Sequence, residues 1–311
     1  MTAIAAWRLA STGRIAMPEP CELRSLRGFE ARASELEGLP DVLVEEEGVV
    51  HVMVASRGDR RASRRLHCHL APSRDLPEGA LWRLGGGVLL PAPELCLVML
   101  GASMGRIELL RLGMELCGRY RKMPDGASWW LDPLVSAARV RSFAYACRRV
   151  RGVRLARWAA QHLVDGAASP RESAIALMCV LPTKVGGYQL PHPVMNLPME
   201  LSSDARAVAG QARAAGDLYW PDHSILVEYD SDVAHATRRS RDMERRDGLE
   251  SMGIRVLTIT TEQVRDFDRL DACLSLLARR LRGRSRAVPS EARERRRMLH
   301  RELLARSPFV C

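Results

Sequence analysis

The segment 225–260 constrains the fold more than any other part of the chain, because it reads as a strand, a helix and a second strand. The apolar run at 225–227 and the run IRVLTIT at 254–260 are both typical of buried strands. Between them, a helical pattern at about 240–252 ends before Gly253. Strands joined through a helix are usually parallel neighbours, and the connection is right-handed. The segment therefore predicts part of an α/β domain.

A further strand-like run, DLYW, comes just before this segment and is joined to it by PDHS. The connection is either a two-residue loop at Asp222-His223 or a four-residue loop at 221–224, and both give the same hairpin register. In that register Asp217 lies directly opposite Glu228. Directly paired residues share one face of the hairpin.

Three carboxylates are then expected to converge at one end of the sheet. Asp230 shares the face of Glu228, whereas Tyr229 points away, because strand side chains alternate. Carboxylates opposite one another destabilise a hairpin unless a cation lies between them. Mg²⁺, for which Mn²⁺ could substitute, prefers such oxygen ligands and can activate water beside a scissile phosphate. His235, five residues after Asp230, is a candidate general base. The three carboxylates of the expected site are therefore those of Asp217, Glu228 and Asp230.

Each of these residues also has a simpler interpretation. Taken singly, any of the carboxylates is more commonly an exposed surface residue than a ligand. Glu172 follows Ser169 and Pro170 at the start of a predicted helix, where it fits the third position of a capping box. The joint arrangement, with its apolar flanks and the crossover that follows, favours a site.

The charge distribution indicates a polyanionic partner. The formal net charge is +10, and residues 236–306 contain 19 arginines against 11 acidic residues. Nucleic acid is the commonest partner of such a basic region. A genomic preference for arginine is the alternative, since only two lysines occur. The candidate phosphate contacts lie in the segment 238–246 and are Arg238, Arg239, Arg241, Arg245 and Arg246.

Cysteine usage and hydropathy bear on the compartment. The eight cysteines are scattered without a CxxC pair, which favours a reducing environment over a disulfide framework. The N-terminal segment lacks the apolar core of a signal peptide, and no run reaches transmembrane length. We therefore expect a cytoplasmic protein without membrane association.

The sequence predicts an α+β protein in three parts. Residues 1–165 form a mostly helical region with a small β part, which includes a predicted hairpin at 42–55. Residues 166–285 form the α/β domain, and residues 286–311 form a basic C-terminal helix or tail.

Within the second part, several motifs together resemble the very-short-patch-repair-like branch of the restriction-endonuclease superfamily. The matching features are Asp217, then Trp220-Pro221, VEYDSDVAH, Asp242-x-x-Arg245 and GIRVLTIT. The resemblance covers roughly residues 168–265 and implies an α-β-β-β-α-β core. Two departures concern activity: Ser231 replaces the glycine that usually follows the aspartate, and the E-x-K lysine of the wider superfamily is absent.

The resemblance also implies roles for individual residues. Asp217 and Glu228 would be metal ligands, and Asp230 would stand where related nucleases have lysine. His235 would match the active-site histidine, and Glu172 the first-helix glutamate that some members bring to the metal.

The first part is more loosely similar to AbiEi-type abortive-infection antitoxins, through its short β part, the segment LHCHLAPSRDLP and the run SPRES that leads into the nuclease-like domain.

The leading hypothesis is a Mg²⁺-dependent endonuclease, or nuclease-like phage-defence protein, that hydrolyses DNA. The alternative is a non-catalytic DNA-binding antitoxin or transcriptional regulator with a nuclease-like fold. A toxin or another defence protein is a possible partner, and a pure protein-interaction module is a third reading.

Overall fold

The protein is a mixed α/β chain, as the sequence predicts, with eleven helices and eleven strands among the residues that the structure describes. A computed structural model describes residues 2–22, 26, 39, 41–45, 48–60, 63–71, 76–85, 87–122, 128–148, 150–230, 236–283 and 289–304. At 122, 128–129 and 236–241 it describes the backbone alone. The chain divides into two compact units.

The first unit contains the described residues up to Cys117 together with Arg121–Gln161. Its helices are α1 (Thr2–Ser11), α2 (Pro93–Leu100), α3 (Arg106–Cys117), α4 (Ala137–Ala146) and α5 (Val153–Ala160). Its strands are β1 (Glu19–Pro20), β2 (Val50–Val54), β3 (Leu66–Leu70), β4 (Leu81–Gly85), β5 (Val88–Pro91) and β7 (Ser128–Trp130), while β6 (Tyr120–Lys122) runs across the boundary between the units.

Two small sheets form most of the β part of this unit. Strands β1, β4 and β5 make an antiparallel sheet, and β2 pairs with β3 in parallel. Of the predicted hairpin at 42–55, the described residues show one antiparallel bridge, between Val44 and Val50, while Val50–Val54 pairs in parallel with β3. An apolar β pattern identifies a strand but does not say which strand it will pair with.

The second unit contains Gly118–Tyr120 and the described residues from His162 to Leu304. Its helices are α6 (Pro170–Val180), α7 (Ser203–Ala209), α8 (Ala236–Ser251), α9 (Thr261–Arg265), α10 (Phe267–Arg282) and α11 (Ser290–Leu304). Its strands are β8 (Val194–Glu200), β9 (Arg213–Trp220), β10 (Ile225–Asp230) and β11 (Arg255–Thr260).

These four strands form one sheet in the order β11-β10-β9-β8. Strands β8, β9 and β10 are antiparallel neighbours, and β10 and β11 are parallel and joined through α8, so the parallel crossover is confirmed. Three consecutive residues of β10, at 225–227, are fully buried, which requires that both faces of the sheet be covered.

Helices α7 and α8 cover one face through a cluster that includes Leu226, Leu249 and Ala205. Gly248 allows the two helices to approach closely, because a Cβ there would lie 2.9 Å from the carbonyl oxygen of Ala205.

The basic C-terminal segment contains a helix that belongs to the second unit. Helix α11 packs against α6 and α10, with the guanidinium of Arg296 3.8 Å from the ring centre of Tyr188. The ring nitrogen Nε2 of His300 lies 2.8 Å from the backbone oxygen of Val264. Among the residues described, no helix combines the length and the apolar character needed to span a membrane.

Candidate active site

The β9–β10 hairpin has the register that the sequence predicts. The connection is the four-residue loop at 221–224, in which Pro221–His223 forms a single 3-10 turn and Ser224 has a φ of 49°. The paired residues are Ile225 with Trp220, Leu226 with Tyr219 and Val227 with Leu218. Asp217 and Glu228 are the next residues on the two strands, so the register brings these carboxylates to the same end of the hairpin.

Asp217 extends the contact between the two strands through its side chain. Its Oδ2 accepts a hydrogen bond from the backbone N–H of Tyr229 at 2.5 Å. The pKa of Asp217 is raised to about 7, chiefly by burial and then by the negative charges of Glu172 and Glu228, while the Tyr229 N–H and Arg245 oppose the rise. A substantial fraction of Asp217 is therefore protonated at neutral pH.

Glu228 is the second carboxylate, and its side chain is only 13% exposed. Nη2 of Arg245 lies 3.0 Å from Oε1 of Glu228. The angles at this close charge pair are not those of a hydrogen bond, since Oε1 is buried without a hydrogen-bond partner among the described residues. Burial raises the pKa of Glu228, and Arg245 opposes that rise.

Glu172 lies at the start of α6 and is buried. Its backbone N–H donates to Oγ of Ser169 at 3.2 Å, which confirms the predicted N-cap. Its Oε1 accepts from Oγ of Ser169 at 2.8 Å, and its Oε2 accepts from the N–H of Ala168 at 2.9 Å and from Nδ2 of Asn196 at 2.8 Å. Both oxygens of Glu172 are thus bonded within the protein, unlike Oε1 of Glu228.

Asn196 is a site residue that sequence reasoning missed. Its φ of 49° lies in the left-handed region, and its Nδ2 also donates to the backbone oxygen of Gly166 at 3.0 Å. On either side of this residue, β8 and β9 pair Met195 with Leu218 and Leu197 with Gly216. Asparagine is disfavoured in strands but tolerates left-handed backbone. Its presence in the strand-like run VMNLPME was the available signal.

The residues at the end of β10 face different ways. The hydroxyl of Tyr229 lies 2.9 Å from Oγ1 of Thr261, whereas Glu228 faces Arg245 on α8, so the predicted alternation is confirmed for this pair. Asp230 is exposed, and its backbone oxygen accepts a hydrogen bond from Thr261 at 3.4 Å. His235, the candidate base, lies outside the described residues.

Helix α8 carries the arginines predicted to contact nucleic acid. Arg245 is turned toward the sheet, where its Nη1 donates to the backbone oxygen of Ala215 at 3.2 Å. Arg246 forms a 2.9 Å ion pair with Glu250 along the helix. The structure gives the backbone, but not the side chains, of Arg238, Arg239 and Arg241.

Helix α11 has much of its positive charge paired with acids of α10. Asp268 lies 2.8 Å from Nη2 of Arg293 and 3.4 Å from Nη2 of Arg297. Asp271 lies 3.0 Å from Nη1 of Arg296. A basic sequence at this helix therefore leaves less free positive charge than its composition indicates.

No protein-family model, curated protein or solved structure matches this chain. The chemical capability of the site therefore follows from its own groups. Asp217 titrates near neutral pH, Glu228 has a buried oxygen without a donor, and the two are close enough to couple electrostatically. This pair of carboxylates can exchange a proton near pH 7, and it offers the oxygen ligands that a hard divalent cation prefers.

Proposed function

We propose that the protein is a metal-dependent endonuclease that hydrolyses DNA phosphodiester bonds. The observation that carries the proposal is the buried, hydrogen-bond-free Oε1 of Glu228 beside Asp217, whose pKa is raised to about 7. The supporting arrangement is the element order α6, β8, β9, β10, α8 and β11, with α7 inserted after β8. This order suits a restriction-endonuclease-like core with its site at the end of the central strands.

The donor set fits Mg²⁺, with Mn²⁺ as a substitute. A buried carboxylate oxygen without a donor is stabilised by a cation, and Asp217 would ionise fully if a positive charge compensated Glu172 and Glu228. Arg245 opposes the fit, because its guanidinium already lies 3.0 Å from Oε1 of Glu228. Metal binding in this proposal requires Arg245 to move or to share that oxygen.

Asp217 and Glu228 would hold the ion in this mechanism, and burial together with the negative charge of Glu172 keeps a fraction of Asp217 protonated in the metal-free protein. When bound, Mg²⁺ would supply charge neutralisation at the scissile phosphate and activation of the attacking water. Asp230, exposed at the end of β10, would assist in orienting the water, and His235 would position or deprotonate it. Tyr229 contributes its backbone N–H, which fixes the orientation of the Asp217 carboxylate.

The substrate is positioned by arginine–phosphate contacts, which carry no sequence information themselves. The contacts are made by Arg238, Arg239 and Arg241 at the start of α8. Arg246, whose side chain is about half exposed, makes a further contact. The proposed compartment is the cytoplasm, where cysteines remain reduced. A role in phage defence, with a toxin or another defence protein as partner, is part of the same proposal.

Supercoiled and linear DNA incubated with the purified chain and Mg²⁺, Mn²⁺ or a chelator tests the activity. We expect nicking or cleavage that requires the metal and falls by roughly a thousandfold or more in Asp217→Ala and Glu228→Gln, since these remove groups on which the chemistry depends. Asp222→Ala, an exposed loop residue, is the matched control and should leave the rate unchanged. Cleavage that ignores both the metal and these substitutions would overturn the mechanism.

The Arg245–Glu228 pair favours a second candidate, a non-catalytic DNA-binding antitoxin or transcriptional regulator. An arginine that compensates Glu228 within the fold removes part of the need for a metal ion. The same samples discriminate the two, because the regulator would bind DNA in a salt-sensitive manner without cleaving it under any metal condition.

A further inference from the structure

Three histidines of the first unit lie together on the parallel pair of strands β2 and β3. His51 is directly opposite His67, and Met53 is opposite His69. His67 and His69 are two residues apart and so share a face of the pair. The three ring centres are 4.7 to 4.9 Å apart, with the rings nearly parallel. One ligand atom from each ring lies within 4.8 Å of the others.

His51 has a polar partner beside each of its ring nitrogens. Its Nε2 lies 3.2 Å from Oε1 of Glu45, and its Nδ1 lies 2.7 Å from Nε2 of His69. A carboxylate beside one ring nitrogen holds the proton there and leaves the other nitrogen as a lone pair. Nδ1 of His51 is therefore an acceptor directed into the cluster. A histidine paired in this way with a carboxylate is the usual arrangement of a metal ligand.

Charged groups near the cluster act in both directions on a cation bound there. Arg60 is close enough to His69 to influence it electrostatically and would oppose a cation. The carboxylate of Glu45, 3.2 Å from Nε2 of His51, would favour one.

We propose that His51, His67 and His69 form a binding site for a divalent transition-metal ion, with Zn²⁺ as the best fit. Imidazole ligands select zinc, copper or nickel over Mg²⁺, so this site is independent of the carboxylate site in the second unit. Three histidines would leave the fourth zinc position open to water, and Glu45 acts as the positioning residue for His51.

Binding requires a small rearrangement of the rings. Zinc–nitrogen bonds are about 2.0–2.1 Å long, and the lone pairs must point to one centre. The present rings are stacked, with His51 bonded to His69. Rotation about the terminal side-chain torsion, which is broad for histidine, opens that hydrogen bond and turns the nitrogens inward. The register of the paired strands already places the three residues at adjacent positions of the two strands.

Calorimetric titration of the full-length chain with Zn²⁺, and absorption spectra with Co²⁺, test the site. We expect one tight Zn²⁺ that persists in excess Mg²⁺ and binds at least about 100-fold more weakly in His67→Asn and His69→Asn, because losing a ligand should exceed the 10–100-fold effect of losing an outer-shell partner. Glu45→Gln should weaken binding by roughly 10–100-fold. His223→Asn and Asp217→Asn, in the second unit, should retain wild-type affinity.

Equal Zn²⁺ affinity in the wild type and His67→Asn would overturn the proposal. So would a cobalt spectrum with thiolate charge-transfer bands that the histidine variants leave intact, since that would assign the metal to cysteines. Circular dichroism identifies a variant that has lost its fold. His67→Asn decides the outcome if His69→Asn is unfolded, because His67 is exposed and its replacement should not disturb the core.

Discussion

Asp217 and Asp271 are two poorly exposed aspartates of the same unit with opposite surroundings. Asp271 has Arg296 at 3.0 Å and Arg293 at 3.3 Å, and it also accepts a hydrogen bond from the hydroxyl of Tyr188. Asp217 accepts one backbone N–H, and its strongest side-chain influence is the negative charge of Glu172.

The difference separates a charge that stabilises the fold from a charge that does not. The partners of Asp271 hold α10 and α11 together, and burial there is compensated by two guanidinium groups. The burial of Asp217 is compensated poorly, so its pKa rises to about 7. Poorly compensated carboxylates cluster at functional sites. The comparison therefore predicts opposite stability effects when each aspartate is replaced.

Asp271→Ala should have the largest effect. The substitution leaves the guanidinium of Arg296, 9% exposed, without its carboxylate, and breaking a buried pair in this way costs about 3–5 kcal/mol. Urea unfolding followed by circular dichroism measures the loss. The control is Asp268→Ala on the same helix, whose exposed ion pairs should contribute about 1 kcal/mol or less. Equal losses for the two variants would remove the distinction between a buried and an exposed pair.

Asp217→Asn should stabilise the protein above neutral pH. The folded pKa of about 7 lies above the ordinary value of 3.8, so the folded state binds a proton that the unfolded state releases between these values. The contribution of protonated Asp217 to the free energy of unfolding is fully present below pH 3.8 and is lost as the pH rises through about 7. A rise of this size corresponds to roughly 4 kcal/mol, which is an upper bound for the gain at pH 8.

Unfolding free energies of the wild type and Asp217→Asn at several pH values from 4 to 8 test this sign. The difference between the two curves should grow with pH and shrink when Mg²⁺ is added to the wild type. Asp222→Asn in the exposed loop is the matched control and should follow the wild-type curve. Parallel curves for wild type and Asp217→Asn would show that folding does not raise the pKa of Asp217.

Local pattern predicted the elements around the site well. Period-2 alternation and the turn residues at 221–224 were sufficient for the β9–β10 register, and apolar runs on either side of a helical pattern predicted the parallel β10–β11 pair. These features depend on neighbours in sequence, which a single chain displays directly.

Features that depend on distant contacts were not predictable in the same way. The bond from Asn196 to Glu172 joins residues 24 positions apart, and it depends on a left-handed backbone that pattern alone does not reveal. The pairing of β2 with β3, which assembles the three histidines, was missed because a hairpin at 42–55 satisfied the same pattern. Net charge likewise did not show that the arginines of α11 are largely paired with α10.

The smallest expected effect concerns Arg245, which gives Glu228 the partial compensation that Asp217 lacks. Arg245→Met should strengthen Mg²⁺ binding by roughly three- to tenfold, because a positive charge 3.0 Å from a ligand oxygen opposes a cation by about 1 kcal/mol at a partly exposed site. Thermal unfolding at increasing Mg²⁺ measures the midpoint of the stabilisation. Arg246→Met, whose partner is Glu250 on the same helix, is the control and should leave that midpoint unchanged. An unchanged midpoint in Arg245→Met would mean that Oε1 of Glu228 is not a ligand, which would assign Arg245 and Glu228 to the fold in the way that Arg296 and Asp271 belong to it.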